Sequence, residues 1–360
     1  MPSLIPADAI KFILTPWSAK DRIISYRNFY NLFTSYNGLR FMAVVIAAKK
    51  AGLLDALKSG GKTSEEICSL TRTQKEKTEL VLDAITHFGI LRKSNGLYTL
   101  SDLGKRIVSD KRGSLKYLID FIDVQWKPLN DIDKILKDGR PAKELDIFRK
   151  ESVKGRLSLL YAVNSFLYVP TRELLEKYDF SPVRRVILGS MGVSFAYNIA
   201  KKYKDAKITF NCYTSLIRKL PDLRSIYPVP DSNIENIHGV SPSGSHKGDP
   251  LKYKWGNESK PYNLIFLTKK LTLKPYSEYG EKFLKKSYSV LSDGGKVVIW
   301  EAIFDDDMLS PRFTVLESIL DALVCYPGKR WSFNEIKRNL YNIGFSEVTK
   351  IKCSMGTATF

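Results

Sequence analysis

The fold of this chain is decided by the stretch Val186–Phe195, which reads VILGSMGVSF. It contains a short apolar strand, a turn with two glycines and the start of a helix, in that order. Ligands of open α/β sheets bind at the carboxyl ends of parallel strands, close to a helix N-terminus, so this turn is a candidate ligand site. Ser190 and Met191 stand where a loop that cradles a phosphate or a ribose needs glycine.

Downstream, apolar strands alternate with helices, which is typical of a mostly parallel sheet with helices on both faces. The predicted elements are a helix over 193–203, strands over 207–210 and 262–267, a helix over 279–291, a turn at Gly294-Gly295 and a strand over 296–300. Residues 233–260 are polar, and we expect a loop insertion there. A capping box at Ser332 begins another helix, and residues 347–353 and 357–360 are expected to close the sheet as an antiparallel pair.

The first 110 residues carry the signals of three helices followed by a hairpin, which together form a winged helix-turn-helix. One helix is predicted over Phe41–Leu57, and two more begin at the capping boxes Thr63–Glu66 and Thr73–Glu76. The Asn95-Gly96 turn between apolar segments predicts the hairpin. Upstream lies an apolar stripe that needs a partner, either the following domain or a second subunit; it consists of Phe29, Phe33 and Tyr36.

Residues 111–180 are predicted to be helical, with a loop that begins at Asp138. Three aromatic residues of this segment, Tyr161, Phe166 and Tyr168, form a candidate apolar ligand pocket, with plain core packing as the alternative. The predicted domains are a helical and winged-helix domain over 1–110, a helical connector that lines the pocket over 111–180, and an α/β domain over 181–360.

Composition narrows the class of protein. The chain of 360 residues has Lys+Arg 57 against Asp+Glu 38, a net charge of +19 that is spread along the sequence. This excess favours a solvated basic surface over a dedicated nucleic-acid face. No apolar run approaches the length of a membrane helix and no signal peptide is recognised, so we expect a cytoplasmic protein without membrane contact. The scattered cysteines and histidines predict neither a disulfide framework nor a metal site.

The order of these parts resembles the two-domain S-adenosylmethionine-dependent small-molecule O-methyltransferases of the caffeate and polyketide types. The most specific matches are Ala47–Leu57, the hairpin, Leu291–Glu301 and Pro327–Arg330. The resemblance implies an N-terminal domain that forms a homodimer and caps the substrate pocket, and a C-terminal domain that holds the cofactor. The predicted fold class is therefore α/β: a Rossmann-like methyltransferase domain with a doubly wound, mostly parallel sheet, and an N-terminal α-helical winged-helix dimerisation domain.

The resemblance assigns the cofactor-binding positions to Gly189, Ser190, Gly192, Cys212 and Asp249. The family loop Asp-x-Gly-Gly-Gly-x-Gly keeps one glycine in place here, Gly189, and a displaced one, Gly192. The family carboxylate that accepts hydrogen bonds from the ribose hydroxyls is replaced by Cys212, and a thiol cannot act as a bidentate acceptor. Each lost charge-assisted hydrogen bond weakens binding by roughly 1.5 to 3 kcal/mol, so S-adenosylmethionine is expected to bind weakly or not at all.

The resemblance also implies a catalytic histidine just after the strand that ends at Leu267. The segment there contains Lys270, Thr272 and Lys274 but no histidine. Lysine acts as a base only when its pKa is strongly lowered. Glu301 matches a family glutamate that helps to orient the base, whereas the second such glutamate is replaced by Arg330.

Three hypotheses about function follow. The first is a methyltransferase-family protein that acts on or binds a small, largely apolar molecule, with impaired O-methyl transfer. The second is a non-methylating member of the family, either a repurposed enzyme or a non-catalytic partner subunit. The third is a winged-helix regulator that binds nucleic acid. On the helix that would read DNA, Lys75 and Lys77 are offset by Glu76, Glu79 and Asp83, so no specific nucleic-acid partner is expected.

Overall fold

The computed structural model describes residues 19–139, 153–213, 217–240, 255, 261–268, 271, 280–311, 314–316, 318, 330–353 and 356–359. The chain divides into two compact units, one that ends at Val108 and one that begins at Ser109. Residues 109–180 are part of the second unit, and a separate connector domain stays a prediction. None of the described helices combines the length and the apolar character that are needed to cross a bilayer.

Helices make up most of the first unit. They are α1 (Ala19–Lys50), α2 (Leu53–Ala56), α3 (Ser64–Thr71), α4 (Lys75–His87) and α5 (Asp102–Val108). The single helix predicted over Phe41–Leu57 is wrong, because Gly52 has a φ of 80° and separates α1 from α2. The predicted hairpin is confirmed: β1 (Leu91–Ser94) pairs antiparallel with β2 (Leu97–Leu100) around the Asn95-Gly96 turn.

The two capping boxes predicted in this unit have different outcomes. The first is confirmed, because the Thr63 hydroxyl accepts from the Glu66 N–H at 3.3 Å and the Thr63 N–H donates to the Glu66 carboxylate at 2.8 Å. The second is wrong. The N-cap of α4 is Gln74, which makes no side-chain capping bond, and the Thr73 hydroxyl accepts from the Thr78 hydroxyl at 2.8 Å instead.

In the described part of the second unit, three helices precede a sheet of seven strands. The helices are α6 (Lys116–Asn130), α7 (Ile132–Asp138) and α8 (Val153–Lys177). The strands are β3 (Arg185–Gly189), β4 (Lys207–Tyr213), β5 (Ile234–Val240), β6 (Tyr262–Thr268), β7 (Leu291–Trp300), β8 (Lys350–Cys353) and β9 (Gly356–Thr359). Their order is β5-β4-β3-β6-β7-β9-β8. Pairing is parallel from β5 to β7 and antiparallel at β9 and β8, which confirms the predicted sheet and its closing pair.

Helices cover both faces of this sheet. They are α9 (Val193–Lys202), α10 (Leu220–Ile226), α11 (Gly280–Val290) and α12 (Phe333–Ile343). Successive residues of a strand point to opposite faces. Val186 and Leu188 accordingly join one buried apolar cluster, whereas Ile187 between them joins another. The apolar residues of β3 therefore contribute to the core on both faces of the sheet.

Two predictions about the sheet are wrong. The loop expected over 233–260 contains β5, which pairs with β4; as the outer strand of the described sheet it carries polar residues that hide its strand character. Strand β7 begins at Leu291 rather than at Lys296, so the Gly294-Gly295 turn lies inside it. Its pairing with β6 shifts there, and Gly294 has a φ of 69°, which marks a bulge.

Polar side chains of α9 fix this helix on α8. The Asn198 side chain donates to the Thr171 hydroxyl at 2.8 Å and to the Tyr168 carbonyl at 3.0 Å. One turn further on, the Lys202 ammonium donates to the Leu175 carbonyl. Asn198 and Thr171 are buried, so these bonds satisfy groups that would otherwise be costly to bury.

Another set of polar side chains crosses the sheet at the start of β3. Arg185 Nε donates to both carboxylate oxygens of Glu235 in β5 at 3.0 Å, across the intervening β4. The Arg185 guanidinium also lies 4.6 Å from the ring centroid of Tyr262 in β6. The Thr209 hydroxyl of β4 is 3.4 Å from the Glu235 carboxylate. Four neighbouring strands are therefore tied together at this level.

We expect Glu235→Leu to lower the free energy of unfolding by about 2 kcal/mol, because the largely buried Arg185 loses its carboxylate. Urea unfolding measures this change. Adding Arg185→Met should cost less than the sum of the single changes, since an apolar pair needs no counter-charge. The control Asp55→Ala removes an exposed ion pair with Lys58 and should leave stability almost unchanged. Equal losses for Asp55→Ala and Glu235→Leu would contradict this account.

Candidate functional site

The candidate site lies at the carboxyl edge of the parallel sheet. Strands β4 and β5 extend the sheet on one side of β3, whereas β6 and β7 extend it on the other, so the strand order reverses between β3 and β6. Ligands of open α/β sheets bind in the crevice at such a reversal. Gly189 ends β3 there, a 3₁₀ turn runs over Ser190–Gly192, and α9 begins at Val193. The predicted strand, turn and helix are confirmed.

The two glycines of the turn differ in their surroundings. A Cβ at Gly189 would lie 3.5 Å from the Asn211 carbonyl oxygen, an ordinary contact, and the backbone there is extended. Glycine at this position therefore leaves space at the end of β3 that the described residues do not fill. A Cβ at Gly192 would lie 3.1 Å from the Phe266 ring and 3.4 Å from the Leu188 side chain. Gly192 therefore permits the close packing of the start of α9 on β3 and β6.

Apolar side chains occupy the positions where the resembled family has its aspartate and two of its glycines. Ile187 is 2% exposed and Val193 is 0% exposed, so both are core residues. Met191 is half-buried and packs against the same apolar cluster as Val193. These three positions consequently serve packing of the fold.

An asparagine of α8 caps the start of α9. Asn164 Oδ1 accepts from the Ser194 N–H at 3.0 Å, and Asn164 Nδ2 donates to the Leu160 carbonyl at 2.9 Å. Asn164 and Ser194 are both fully buried. The first N–H groups of a helix have no partner within the helix and often bind a ligand. Here the protein itself uses one of them.

Among the described residues, two buried oxygen atoms of this region, Ser194 Oγ and Asn211 Oδ1, have no hydrogen-bond partner. Asn211 pairs with Gly189 across β3 and β4, so it lies at the same edge of the sheet. A buried polar atom without a partner costs about 1 to 3 kcal/mol, and a bound water or ligand commonly satisfies it. Asn211 was not among the predicted site residues, because the resemblance assigns the ribose-binding position to its neighbour Cys212.

Tyrosines from separate helices gather beside α8. The Tyr161 ring stacks on Tyr117 of α6 with centroids 4.9 Å apart, and Tyr168 lies 5.8 Å from Tyr227 and 6.2 Å from Tyr197. Burial raises the pKa of Tyr117, Tyr161 and Tyr227 to about 12. These three hydroxyls stay protonated at neutral pH, so they can donate hydrogen bonds but do not provide a general base.

The predicted pocket residues are only partly brought together. Tyr161 and Tyr168, seven residues apart, lie on one face of α8, whereas Phe166 lies on another. All three are half-buried and pack against the same apolar cluster, as core residues also would. Tyr117, Tyr197 and Tyr227 were not predicted, because each comes from a segment distant in sequence and only the fold brings them to α8.

Glu301 follows β7 directly and is buried at the carboxyl edge of the sheet. Its Oε1 accepts from the Leu271 N–H at 3.1 Å. Arg330, at the position of the second family glutamate, instead places its guanidinium 4.5 Å from the ring centroid of Phe304. Glu301 therefore contacts backbone, and Arg330 packs on an aromatic ring.

Several predicted site residues lie outside the described part of the chain: Lys270, Thr272, Lys274 and Asp249, together with the side chains of Ser190 and Cys212. Their roles stay predictions. Within the described ranges, no group of three or more His, Cys, Asp or Glu side chains is arranged to hold a metal ion.

Comparisons with known proteins address the fold. Residues 33–110 match the family model described as the O-methyltransferase dimerisation domain. No curated protein matches the chain in sequence. Among solved structures, human N-acetylserotonin methyltransferase in complex with S-adenosylmethionine is similar, with 21% identity, a TM-score of 0.74, and coverage of 92% of this chain and 96% of that chain.

Two further structures have the same architecture. An O-methyltransferase family protein from Burkholderia thailandensis has 14% identity and a TM-score of 0.73, covering 91% of this chain and 96% of its own. PigF, solved with S-adenosylhomocysteine, has 19% identity and a TM-score of 0.71, covering 96% of this chain and 99% of its own. The predicted resemblance is confirmed, as is an α/β fold in which a Rossmann-like domain has the architecture of these methyltransferase structures and residues 33–110 match the dimerisation domain.

We expect Gly192→Ala to lower the free energy of unfolding by about 1 to 2 kcal/mol, because its methyl group would lie 3.1 Å from the Phe266 ring and force a shift. Gly189→Ala is the matched control and should be nearly neutral, since its Cβ has only an ordinary contact. Differential scanning calorimetry compares the two variants. Equal stabilities would show that α9 does not pack on β6 as closely as described.

Proposed function

We propose that this chain is a cytoplasmic, homodimeric methyltransferase-family protein that acts on or binds a small, largely apolar molecule. We further propose that its S-adenosylmethionine site is degenerate and that ordinary O-methyl transfer is impaired. The start of α9 carries this proposal. There Asn164 takes the Ser194 N–H, and the side chains of Met191 and Val193 pack where the family has glycine.

The residues of the site fit an adenosyl cofactor only in part. Gly189 leaves space at the end of β3, and the buried Asn211 Oδ1 can accept a hydrogen bond from a ribose hydroxyl. An amide oxygen is neutral and offers one acceptor atom where a carboxylate offers two, so the bond is weaker than a charge-assisted one. When bound, S-adenosylmethionine would supply the methyl group; these residues supply only its binding.

Acid–base chemistry of the usual kind has little support among the described side chains of the site. The buried tyrosines are protonated at neutral pH. The Glu301 carboxylate accepts a backbone N–H. Lys270, Thr272 and Lys274 stay the candidates for catalytic groups on the sequence evidence alone.

A non-methylating role is the second candidate, and the capped start of α9 favours it too. A repurposed enzyme or a non-catalytic partner subunit needs no donor for a cofactor there. Nucleic-acid recognition has less support, because Lys75 of α4 pairs with Glu65, Asp83 of α4 pairs with Lys93, and Leu80 is 66% exposed on the same helix. A helix that reads a DNA groove instead presents basic and polar groups.

We expect titration calorimetry to give a dissociation constant for S-adenosylmethionine above about 100 µM, because two missing charge-assisted acceptors weaken binding by about 10²- to 10⁴-fold. Asn211→Asp should tighten binding by about tenfold, because a carboxylate is the stronger acceptor. Asn236→Asp, an exposed site on β5, controls for the added charge. A low micromolar dissociation constant for the unmodified protein would contradict this proposal and favour ordinary methyl transfer.

Asn211→Asp is also a cleaner test than restoring all of the family's residues. Changing Ile187 to Asp would bury a charge, and changing Val193 to Gly would open a cavity in the core, since both side chains are buried. Loss of binding in such a variant would report misfolding.

A homodimer has support in the match of residues 33–110 and in one face of α1. Leu32, Tyr36 and Leu39, spaced four and three residues apart, are 70%, 50% and 55% exposed in the single chain. Tyr36 belongs to the predicted apolar stripe, whereas Phe33 is half-buried and the Phe29 side chain lies outside the described residues. Apolar side chains aligned on one helix face are typical of an interface.

We expect the unmodified chain to be a dimer in light scattering at micromolar concentration, and the double variant Leu32→Glu and Leu39→Glu to be a monomer, because charges cannot be buried in that face. Leu136→Glu changes a residue that is 80% exposed on α7 and should leave the dimer intact. A monomeric unmodified protein would refute the proposal.

A further inference from the structure

Both backbone polar groups of Leu271 are bonded to buried side chains. The Leu271 N–H donates to Glu301 Oε1 at 3.1 Å, and the Leu271 carbonyl accepts from Trp331 Nε1 at 3.0 Å. Glu301 is 8% exposed and Trp331 is 1% exposed. Both bonds lie away from solvent, where a hydrogen bond is electrostatically stronger than in water. The chain is therefore held at Leu271 from two sides.

The Leu271 side chain is equally constrained. It is fully buried, in the same apolar cluster as Ile187 of β3 and Trp331. At Gly280, where α11 begins, a Cβ would lie 3.0 Å from the Trp331 ring and 3.8 Å from the Leu271 side chain. The Trp331 indole that donates to Leu271 therefore packs closely against the start of α11.

This contact lies at the same edge of the sheet as the candidate site. Leu271 comes three residues after β6 ends, and Glu301 comes directly after β7. Strand β6 also pairs with β3, where Phe266 lies opposite Leu188, just before Gly189. Leu271 and Ile187 belong to the same apolar cluster, so we expect a shift of Leu271 to alter the packing of β3 beside Gly189.

We propose that Glu301 is a positioning residue that holds the backbone of Leu271 in place through its N–H. The role requires an acceptor oxygen at the right distance. It does not require a negative charge, whereas orienting a basic side chain or taking up a proton would. The role goes beyond the proposed function, since it holds whether or not methyl transfer occurs.

The difference between oxygen and charge gives a direct test. Glu301→Gln keeps an oxygen on a side chain of the same length, and Glu301→Ala removes it. Trp331→Phe keeps an aromatic ring against α11 but removes the donor to the Leu271 carbonyl. Glu347→Ala removes an exposed carboxylate and serves as the control. Hydrogen exchange of the Leu271 amide and calorimetric affinity for S-adenosylhomocysteine are measured on the full chain.

We expect Glu301→Gln and Glu347→Ala to remain within about twofold of the unmodified protein in amide exchange and in affinity. Glu301→Ala should speed exchange of the Leu271 amide by about tenfold or more and weaken S-adenosylhomocysteine binding by about threefold, without unfolding the sheet. Trp331→Phe should speed the same amide by a smaller factor. This pattern, with rescue by glutamine, supports the proposal.

Exchange in Glu301→Gln as fast as in Glu301→Ala would overturn it, because charge and not the oxygen would then hold Leu271. Unchanged exchange in Glu301→Ala would overturn it as well. If Glu301→Ala does not fold, Glu301→Gln decides alone: slow exchange supports the role and fast exchange refutes it. If the unmodified protein does not bind S-adenosylhomocysteine, which the proposed degenerate site allows, amide exchange alone decides the role of Glu301.

Discussion

The close approach of α9 to β3 and β6 is the constraint on which the rest of the site depends. It is possible because Gly192 has no side chain where Phe266 and Leu188 leave no room for one. With the start of α9 seated so deeply, Val193 becomes a core residue and the Ser194 N–H comes within reach of Asn164. Contacts within the protein thus involve the first residues of α9, at the carboxyl edge of the sheet.

The same principle applies across the sheet, where buried polar groups are assigned to backbone and to one another. Asn198 bonds to α8, Arg185 bonds to Glu235, and Glu301 bonds to Leu271. Each bond joins segments that are distant in sequence, and each satisfies a group that is costly to bury alone. Glu301, which looks functional in sequence, thus also holds together two segments of the fold.

An element of the fold could be predicted from the sequence when neighbouring residues alone determine it. The strand, turn and helix at Val186–Phe195 and the Asn95-Gly96 hairpin were predictable, because residue period and turn chemistry determine them within about ten residues. Strand β5 was missed because its residues are polar, and the break at Gly52 was missed because a glycine inside an apolar run is ambiguous.

Much of the candidate site arises from contacts that no local pattern contains. Asn164 reaches Ser194 from thirty residues away, and the position of Asn211 opposite Gly189 follows from strand pairing. The resemblance assigns the ribose-binding position to the neighbouring Cys212, and a role of Asn211 there stays a proposal. The tyrosines beside α8 come from four segments, so a search for aromatic periodicity finds Tyr161 and Tyr168 but not their partners.

The asparagine cap at the start of α9 has a thermodynamic consequence. When a ligand accepts hydrogen bonds from the first N–H groups of a helix, the folded state gains stability with the logarithm of ligand concentration. The ligand-free protein then has the lower free energy of unfolding. Asn164 supplies one of those bonds permanently, because it is part of the chain. A protein built this way keeps that part of its folding free energy at every concentration of ligand.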